Sequence, residues 1–356
     1  MGRSKPITRK PINEMKAGHN DAVLNPVELR KAVSSLQRQL EVYQEQEAAR
    51  DAALVEYEAA RTINEKTTAE ESLMPPVFGA PKISWTESLT FSSGEQECRR
   101  ASITIPDDWS KPIIFVKGDE QLGHVTCDEE RIKKDIAWVE KNPQCLVMLL
   151  GDAIDAATDR SPGSIRENKS APIRQANQYI DLHRPIRDRV IGYVGGNHER
   201  RIDKALSEGG AGVRLIASGL STPEHLVPFS SGVLLLDLHW KGHLWTFTLF
   251  HGAGAAATAG SKVQRLQRNI LLSDSLITLS GHLHEELKTS RRLIKRTAEG
   301  GIHIAKQTAL QCGTYLKYLG SYGEVAGMSP VGPDMIVIEL LADGRYIDRF
   351  KGESDN

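Results

Sequence analysis

Five short apolar segments that each end in side chains able to bind a metal ion constrain this 356-residue chain most strongly. Helical patterns separate the first three segments, as the crossovers of a parallel β-sheet require. Strand ends at one edge of a sheet converge in space, so these side chains are expected to meet in one cluster. The segments end at Gly118-Asp119, Gly151-Asp152, Gly196-Asn197-His198, His251-Gly252 and Gly281-His282-Leu283-His284.

The same alternation predicts the secondary structure around these ends. Helices are expected over residues 128–141 and 172–184, with Pro185 ending the second. Residues 83–105 suggest a small β element. Residues 334–350 predict a hairpin that turns at Asp343-Gly344 and closes the second sheet of the domain.

Composition excludes several classes of protein. The formal net charge is −1, so no overall field attracts the chain to nucleic acid or to a membrane. No apolar run approaches membrane-spanning length, and the basic N-terminus lacks the apolar stretch of a secretory signal. The four cysteines show no paired spacing, which predicts reduced thiols and a cytoplasmic protein.

Changes in composition divide the chain into four parts. Residues 1–26 are basic and polar and predict a disordered tail. Residues 27–73 predict a helical or coiled-coil segment for homo-oligomerisation or docking, or else a solvated helix. Residues 74–82 form a Pro-rich linker, and residues 83–350 are the expected α/β domain.

The expected cluster contains carboxylates, amides and imidazoles but no thiolate. Such ligands suit Mn, Fe, Zn or Mg better than a structural zinc site. They outnumber the ligands of a single catalytic ion, so a pair of ions about 3.5–4 Å apart is expected, with one carboxylate bridging them. A pair of that kind lowers the pKa of a bridging water and hydrolyses phosphate esters.

Adjacent residues on the central turn suggest different roles. If Asn197 binds an ion, His198 projects elsewhere and is free to act as a general acid or to stabilise charge on the phosphoryl group. Glu199 follows directly and could hold the His198 imidazole in the required tautomer.

The order of these motifs resembles the calcineurin-like metallophosphoesterase superfamily over roughly residues 112–290. The resemblance implies a four-layer α/β/β/α sandwich, here with an N-terminal helical extension, and a dinuclear centre at the strand ends. It implies that Asp152 bridges the ions and that His198 is the catalytic histidine. It also implies that Asp155 contacts the ligands without binding an ion itself. It places Asp119 and His284 on the first ion, and Asn197, His251 and His282 on the second.

The first motif departs from the family pattern. The family usually has Asp-x-His, whereas this chain has Asp119-Glu120-Gln121. Gln121 is expected to take the histidine position as a weaker, harder ligand, which favours manganese or magnesium and makes manganese the expected metal. His124 or Glu120 could complete the site instead. The variant resembles phosphoesterases of phage and prophage genomes.

Basic residues after three of the motifs suggest a polyanionic substrate. The predicted contacts are Arg200, Arg291 and Arg292, and a further basic stretch contains Lys262, Arg265 and Arg268. Solvated helix and hairpin faces would explain these charges equally well. We expect a phosphodiesterase or nuclease that acts on DNA, RNA or a nucleotide. A phosphomonoesterase, or a binding or scaffold protein with an impaired metal site, is the alternative.

Overall fold

The computed structural model describes residues 79–90, 96–158, 167–206, 209–254, 256, 258–296, 300–325, 327 and 330–352. The predicted tail and helical segment lie outside these residues, as does most of the predicted linker. The chain divides into two units, Met1–Asp51 and Ala52–Asn356, and every described residue belongs to the second.

Thirteen strands and six helices make up the described part of the chain. The strands are β1 (Lys82–Thr90), β2 (Gln96–Thr104), β3 (Ile113–Lys117), β4 (Cys145–Leu149), β5 (Val190–Val194), β6 (Phe229–Ser230), β7 (Val233–Trp240), β8 (His243–Phe250), β9 (Ile277–Ser280), β10 (Leu287–Arg296), β11 (Ile302–Gln311), β12 (Met335–Leu340) and β13 (Tyr346–Lys351). The helices are α1 (Glu129–Lys141), α2 (Pro172–His183), α3 (Glu199–Leu206), α4 (Ala211–Leu220), α5 (Ala259–Asn269) and α6 (Tyr322–Val325). Short 3₁₀ segments follow α2 and α5, at Arg184–Arg189 and Ile270–Leu272.

Two sheets pack face to face between layers of helix. One sheet has the order β13-β12-β3-β4-β5-β6 and the other β1-β2-β7-β8-β9-β11-β10. Strand β5 contacts β7 and β8 across the interface, α4 packs on β5 and β6, and α5 packs on β9, β10 and β11. The predicted four-layer α/β/β/α sandwich is therefore confirmed.

The predicted helices form for local reasons that the sequence contains. Asp128 caps α1 by accepting a hydrogen bond from the Arg131 backbone N at 3.2 Å. Pro172 occupies the first turn of α2, where its missing N–H costs nothing, and the helix ends at His183, before Pro185. In the described part of the chain, no helix is both long and apolar enough to cross a membrane.

The C-terminal hairpin lies in a different sheet from the one predicted. Strand β12 pairs antiparallel with β3, with Val337 opposite Phe115, so the hairpin extends the first sheet. The buried side chains of β12 complete the hydrophobic layer around β3. The second sheet ends instead in the long β10–β11 hairpin. Its opposite edge is the β1–β2 pair, which accounts for the β element predicted over residues 83–105.

The interface between the sheets generates a first prediction. A Cβ on Gly192 would lie 2.8 Å from Leu236 Cδ1 and 3.2 Å from Leu249 Cδ2, both in the opposing sheet. Gly192→Ala should therefore lower the free energy of unfolding by about 1–3 kcal/mol through overpacking. Gly260→Ala is the matched control, because its Cβ would meet nothing within 4 Å and should be neutral or stabilising. Urea unfolding of both variants checks this, and equal stabilities would contradict it.

Candidate metal centre

The ends of β3, β4, β5, β8 and β9 meet at one edge of the sandwich. Backbone hydrogen bonds connect the loops directly, since Asp119 N donates to Gly151 O at 2.9 Å and Gln121 N to Asp152 O at 2.8 Å. In the other sheet, Gly281 N donates to His251 O at 2.9 Å, and His282 N donates to Asp119 Oδ2 at 2.8 Å across the two sheets. The five motifs therefore form one assembly, with the Asp119 and Asp152 carboxylates buried inside it.

Five of the candidate ligands have left-handed backbone conformations. Among the described residues other than glycine, positive φ also occurs at only two further positions, Ala156 and Lys241. Such conformations are strained for residues with a Cβ and persist where the surroundings enforce them, often at ligand sites. The five are Asp119 (φ 53°), Gln121 (45°), Asp152 (49°), His282 (76°) and His284 (58°).

Asp152, His251 and His282 form one half of the cluster. One potential ligand atom from each lies within 4.8 Å of the other two. The Asp152 Oδ2–His251 Nε2 distance is 3.3 Å, and Asn197 Oδ1 lies 3.2 Å from the same Nε2. His251 Nδ1 lies 2.7 Å from Leu150 O, which fixes the tautomer that turns Nε2 toward the cluster.

Asp119, Gln121 and His284 form the other half. Asp119 Oδ2 accepts a hydrogen bond from His282 N at 2.8 Å. Asp119 Oδ1 is buried and has no hydrogen-bond donor within the described residues, although His284 Nε2 lies 3.2 Å away. The Gln121 amide nitrogen is 3.2 Å from that Nε2, and rotating the amide would present its oxygen at the same place. An unpaired buried carboxylate oxygen among neutral donors is an arrangement that suits a divalent cation.

The structure distinguishes between the three residues that could complete the first motif, which are Gln121, His124 and Glu120. Gln121 lies at the cluster, next to Asp119 and His284. The His124 ring faces Thr126 Oγ1, 2.8 Å from its Nδ1, and Glu167. Glu120 points to the opposite side of the loop, toward Lys117. Of the three, Gln121 alone is placed to bind an ion with Asp119 and His284.

The pKa values of Asp152 and His251 are shifted in opposite directions, because their charges are buried close together. Burial opposes ionisation of Asp152, but the charges of His198 and His251 outweigh it and lower its pKa. Burial also opposes protonation of His251, yet Asp152 and Asp119 raise its pKa to about 10. A cation bound by these side chains would therefore displace a proton from His251.

His198 lies beside the ligands rather than among them. Its Nδ1 is 2.6 Å from Asp155 O and 3.3 Å from Asp155 Oδ1, while its Nε2 is 3.5 Å from Asp152 Oδ2. Arg201, which sequence analysis did not select as a contact, has a guanidinium nitrogen 3.1 Å from the same Nε2. It also donates to Asp155 O at 2.6 Å.

The expected role of Glu199 in orienting His198 is wrong, because Asp155 takes that position. The Glu199 carboxylate is fully buried and accepts hydrogen bonds from the backbone N of Asp152, Ala153 and Gly196 and from the Tyr193 hydroxyl. Glu199 thus ties the loop after β4 to the loop after β5. Two of its partners, Asp152 and Ala153, come from the end of a neighbouring strand, which adjacency in sequence does not show.

Two of the three predicted substrate contacts, Arg200 and Arg291, form hydrogen bonds with residues outside the ligand cluster. Arg200 is exposed and donates to Ser231 O at 2.9 Å. Arg291 donates to Gln307 Oε1 at 2.8 Å, four residues along β10 from its start. Arg292 is exposed and lies on the opposite face of that strand, because side chains alternate.

Comparison with known proteins gives structural neighbours only. No protein-family profile matches the chain, and no curated protein matches it. A conserved uncharacterised protein of Streptococcus pneumoniae, described as a predicted phosphoesterase, is 13% identical over 68% of this chain and 99% of its own, with a TM-score of 0.29. Vps29 of Chaetomium thermophilum is 12% identical over 67% of this chain and 95% of its own, with a TM-score of 0.31. Vps29 of Entamoeba histolytica, as a single mutant, is 12% identical over 67% and 98%, also with a TM-score of 0.31.

TM-scores this low carry no argument, so the fold is assigned from the chain's own architecture. Two sheets between helices, with the five motifs meeting at one edge, are what the motif order implied. The chain therefore has the four-layer α/β/β/α sandwich that the resemblance implied. Membership of the calcineurin-like metallophosphoesterase superfamily and the phage-type assignment stay predictions.

A buried polar cluster contacts the first loop on the side away from the ligands. Glu120 Oε2 pairs with Lys117 Nζ at 3.0 Å, and Glu120 Oε1 accepts from the Tyr179 hydroxyl at 2.7 Å. His183 completes the cluster, with its Nε2 2.7 Å from Lys117 Nζ. Burial opposes ionisation of Glu120, but Lys117 and His183 outweigh it and hold its pKa at about 2. His183 is fully buried in this cluster.

Glu120→Gln should destabilise the protein by about 3 kcal/mol, since it leaves the buried Lys117 charge uncompensated. The Glu120 pKa is lower in the folded protein than the usual 4.5, so its contribution to stability is complete above pH 4.5. That contribution is lost as the pH falls toward about 2. The free energy of unfolding, measured from pH 7 to 3, should differ between the native protein and the variant by an amount that decreases as the pH falls. A difference that stays constant with pH would contradict this.

Proposed function

We propose that this protein hydrolyses phosphate esters with two divalent metal ions, and we expect manganese. The observation that carries the proposal is the meeting of all seven candidate ligands at one edge of the sandwich. The Asp119 and Asp152 side chains are buried there. Their carboxylate oxygens either have no hydrogen-bond donor among the described residues or face an imidazole nitrogen. The proposed ligands are Asp119, Gln121, Asp152, Asn197, His251, His282 and His284.

When bound, such ions would supply an activated water and would neutralise charge on the phosphoryl oxygens. The protein's own contribution centres on His198. Its Nδ1 is held by Asp155, so its Nε2 faces the ligands and can carry a proton to a leaving oxygen. Burial and Arg201 lower the pKa of His198, but Asp152 and Asp155 outweigh them and raise it. A larger fraction of His198 is therefore protonated at neutral pH than for an ordinary histidine.

We favour a phosphodiester substrate, either nucleic acid or a nucleotide, over a monoester. The support is the positive charge beside the ligands: Arg201 contacts His198, and α5 carries Arg265 and Arg268 next to the His251 loop. We also propose a cytoplasmic protein, because all four cysteines are buried free thiols.

Hydrolysis of bis(p-nitrophenyl) phosphate and of p-nitrophenyl phosphate, with Mn²⁺ added, tests the proposal. The native protein should cleave the diester and contain close to two metal ions per chain. His198→Ala should lower kcat about 10²–10⁴-fold while retaining metal, because it removes a proton donor and no ligand. Asp152→Asn should lose both metal and activity.

Other outcomes would redirect the assignment. Cleavage of the monoester alone would make the protein a phosphatase. A folded, metal-loaded protein with no activity on either ester would leave a binding or scaffold protein. Full activity in His198→Ala would refute the role given to that side chain.

Arg201 and Arg200 offer a matched pair for testing charge at the site. Arg201→Ala should lower diester kcat/KM by about 10-fold or more, since it removes a charged hydrogen bond beside His198. Arg200→Ala should have little effect, because the Arg200 side chain is exposed and donates to Ser231 O. Steady-state kinetics of both variants checks this, and equal losses would show a general field effect rather than a local contact.

A further inference from the structure

The hairpin of β10 and β11 extends beyond the sheet to which it belongs. Strand β11 pairs with β9 only from Thr308 to Gln311, whereas it pairs with β10 along its whole length. Strand β10 is the last strand of that sheet. Residues 291–296 and 302–307 therefore form a two-stranded ribbon that has no third strand beside it within the described part of the chain.

The tip of this ribbon lies far from the candidate metal centre. Gln311 pairs with Ser280, where β9 ends at the ligands, so the metal centre is at the other end of the hairpin. The length of strand from Gln311 to Ile302 is about 30 Å. A partner bound at the tip would therefore leave the ligands accessible.

One face of the ribbon exposes three isoleucines. Ile294 stands directly opposite Ile304, and Ile302 is the next residue of β11 on that face, because side chains alternate. The exposed fractions of Ile294, Ile304 and Ile302 are 76%, 69% and 74%. Single exposed apolar side chains are normal, but three that adjoin on one face indicate an interaction surface.

Basic residues adjoin the isoleucines on the same face. Arg292 stands opposite Lys306, and Arg296 stands opposite Ile302. Among the described residues, no carboxylate forms an ion pair with Arg292, Arg296 or Lys306. The ribbon patch, as we name this surface, thus combines positive charge with aliphatic side chains, and it consists of Arg292, Ile294, Arg296, Ile302, Ile304 and Lys306.

The ribbon patch begins where the first sheet stops covering this face. Nearer the metal centre, Lys288 pairs with Asp348 of β13, and the Tyr346 hydroxyl donates to Thr308 Oγ1 at 2.9 Å. Leu310, on the same face, is buried in the core. The exposure of the isoleucines is therefore confined to the part of the hairpin that projects past these contacts.

The charge of the hairpin is local. Residues 287–311 contain six lysines or arginines and one acidic residue, whereas the whole chain has a net charge of −1. At physiological salt, charges more than about 8 Å apart are largely screened from one another in solvent. The ribbon patch can therefore attract an anionic surface although the protein as a whole cannot.

Charge and area distinguish between the possible partners. A second copy of the ribbon patch would place like charges against each other, which is unfavourable. The patch is also about 20 Å long and about 10 Å wide, or about 200 Å², far below the about 800 Å² that each partner buries in a stable protein interface. Nucleic acid would match the charge, but its phosphates gain nothing from three isoleucines.

We infer that the ribbon patch attaches this protein reversibly to membranes that contain anionic phospholipids. The basic side chains would contact the headgroups, and the isoleucines would enter the boundary between headgroups and acyl chains. A bilayer surrounds a narrow projection from all sides, so it does not need the wide, flat surface that a protein partner requires. This inference goes beyond the proposed function and does not depend on it.

Co-sedimentation of the full-length protein with lipid vesicles tests the inference without any variant. Vesicles of phosphatidylcholine and phosphatidylglycerol, in a ratio of about 2:1, should bind the protein at least about 10-fold more tightly than phosphatidylcholine alone. Binding should weaken several-fold when NaCl is raised from about 0.1 M to about 0.5 M, because salt screens the charges. Equal binding to both kinds of vesicle, or binding to neither, would overturn the inference.

Two double variants then locate the contact. Ile294→Ser with Ile304→Ser should lower the affinity for the anionic vesicles about 10-fold, and Arg296→Gln with Lys306→Gln about 30-fold. Leu226→Ser is the matched control for the first, because Leu226 is 59% exposed and lies outside the ribbon. Lys141→Gln is the control for the second, since Lys141 is exposed at the end of α1. Native-like binding by either double variant would contradict the assignment.

The remaining outcomes identify a different partner or separate the inference from the proposed function. Duplex DNA that binds the native protein but not Arg296→Gln with Lys306→Gln, with no vesicle binding, would overturn the inference in favour of nucleic acid. A native dimer that Ile294→Ser with Ile304→Ser dissociates would make the patch an interface between copies instead. Hydrolysis of bis(p-nitrophenyl) phosphate should be the same in the native protein and in both double variants, because the ribbon tip is remote from the ligands. Failure of vesicle binding and failure of hydrolysis are thus independent results.

Discussion

The burial of two carboxylates at the meeting point of two sheets is the constraint on which the rest of the site depends. Asp119 is 0% exposed and Asp152 is 1% exposed, and an unpaired charge in such a position is very costly. Each carboxylate is therefore met by backbone N–H groups and imidazoles: His282 N reaches Asp119, and His198 N reaches Asp152. Delivering these donors from five strand ends requires sharp loops, which explains the cluster of left-handed residues there.

The first loop shows how closely the two sides of a short segment are coupled. Asp119 and Gln121 face the candidate metal centre, while Glu120 between them faces Lys117 in a buried cluster. The loop is thus held from both sides. Backbone hydrogen bonds to Gly151 and Asp152 hold it on the side of the metal centre, and the Lys117–Glu120 ion pair holds it on the other side. We interpret the buried pair as a means of enforcing a strained conformation, because such a pair adds specificity more readily than net stability.

The sequence predicted what depends on local pattern and missed what depends on neighbouring strands. Strand ends and helix boundaries followed from apolar periodicity and from Pro and Gly positions, and the α/β/β/α layers followed from the family resemblance. The contacts of Glu199 with Asp152 and Ala153, and the sheet that receives the β12–β13 hairpin, both depend on which strands lie side by side. The different surroundings of Arg200 and Arg201 have another cause: α3 begins at Glu199, and the phase of that helix turns one arginine outward and the other toward His198.

Gln121 changes the chemistry of one half of the site more than its charge. An amide and a neutral imidazole contribute the same formal charge, so replacing histidine leaves the two carboxylates as the only anionic ligands proposed. An amide does not titrate, however, and it offers a harder donor than an imidazole nitrogen. In the other half, an ion bound beside Asp152 would compete with a proton on His251, whose pKa is about 10. Metal affinity at the His251 half should therefore weaken as the pH falls.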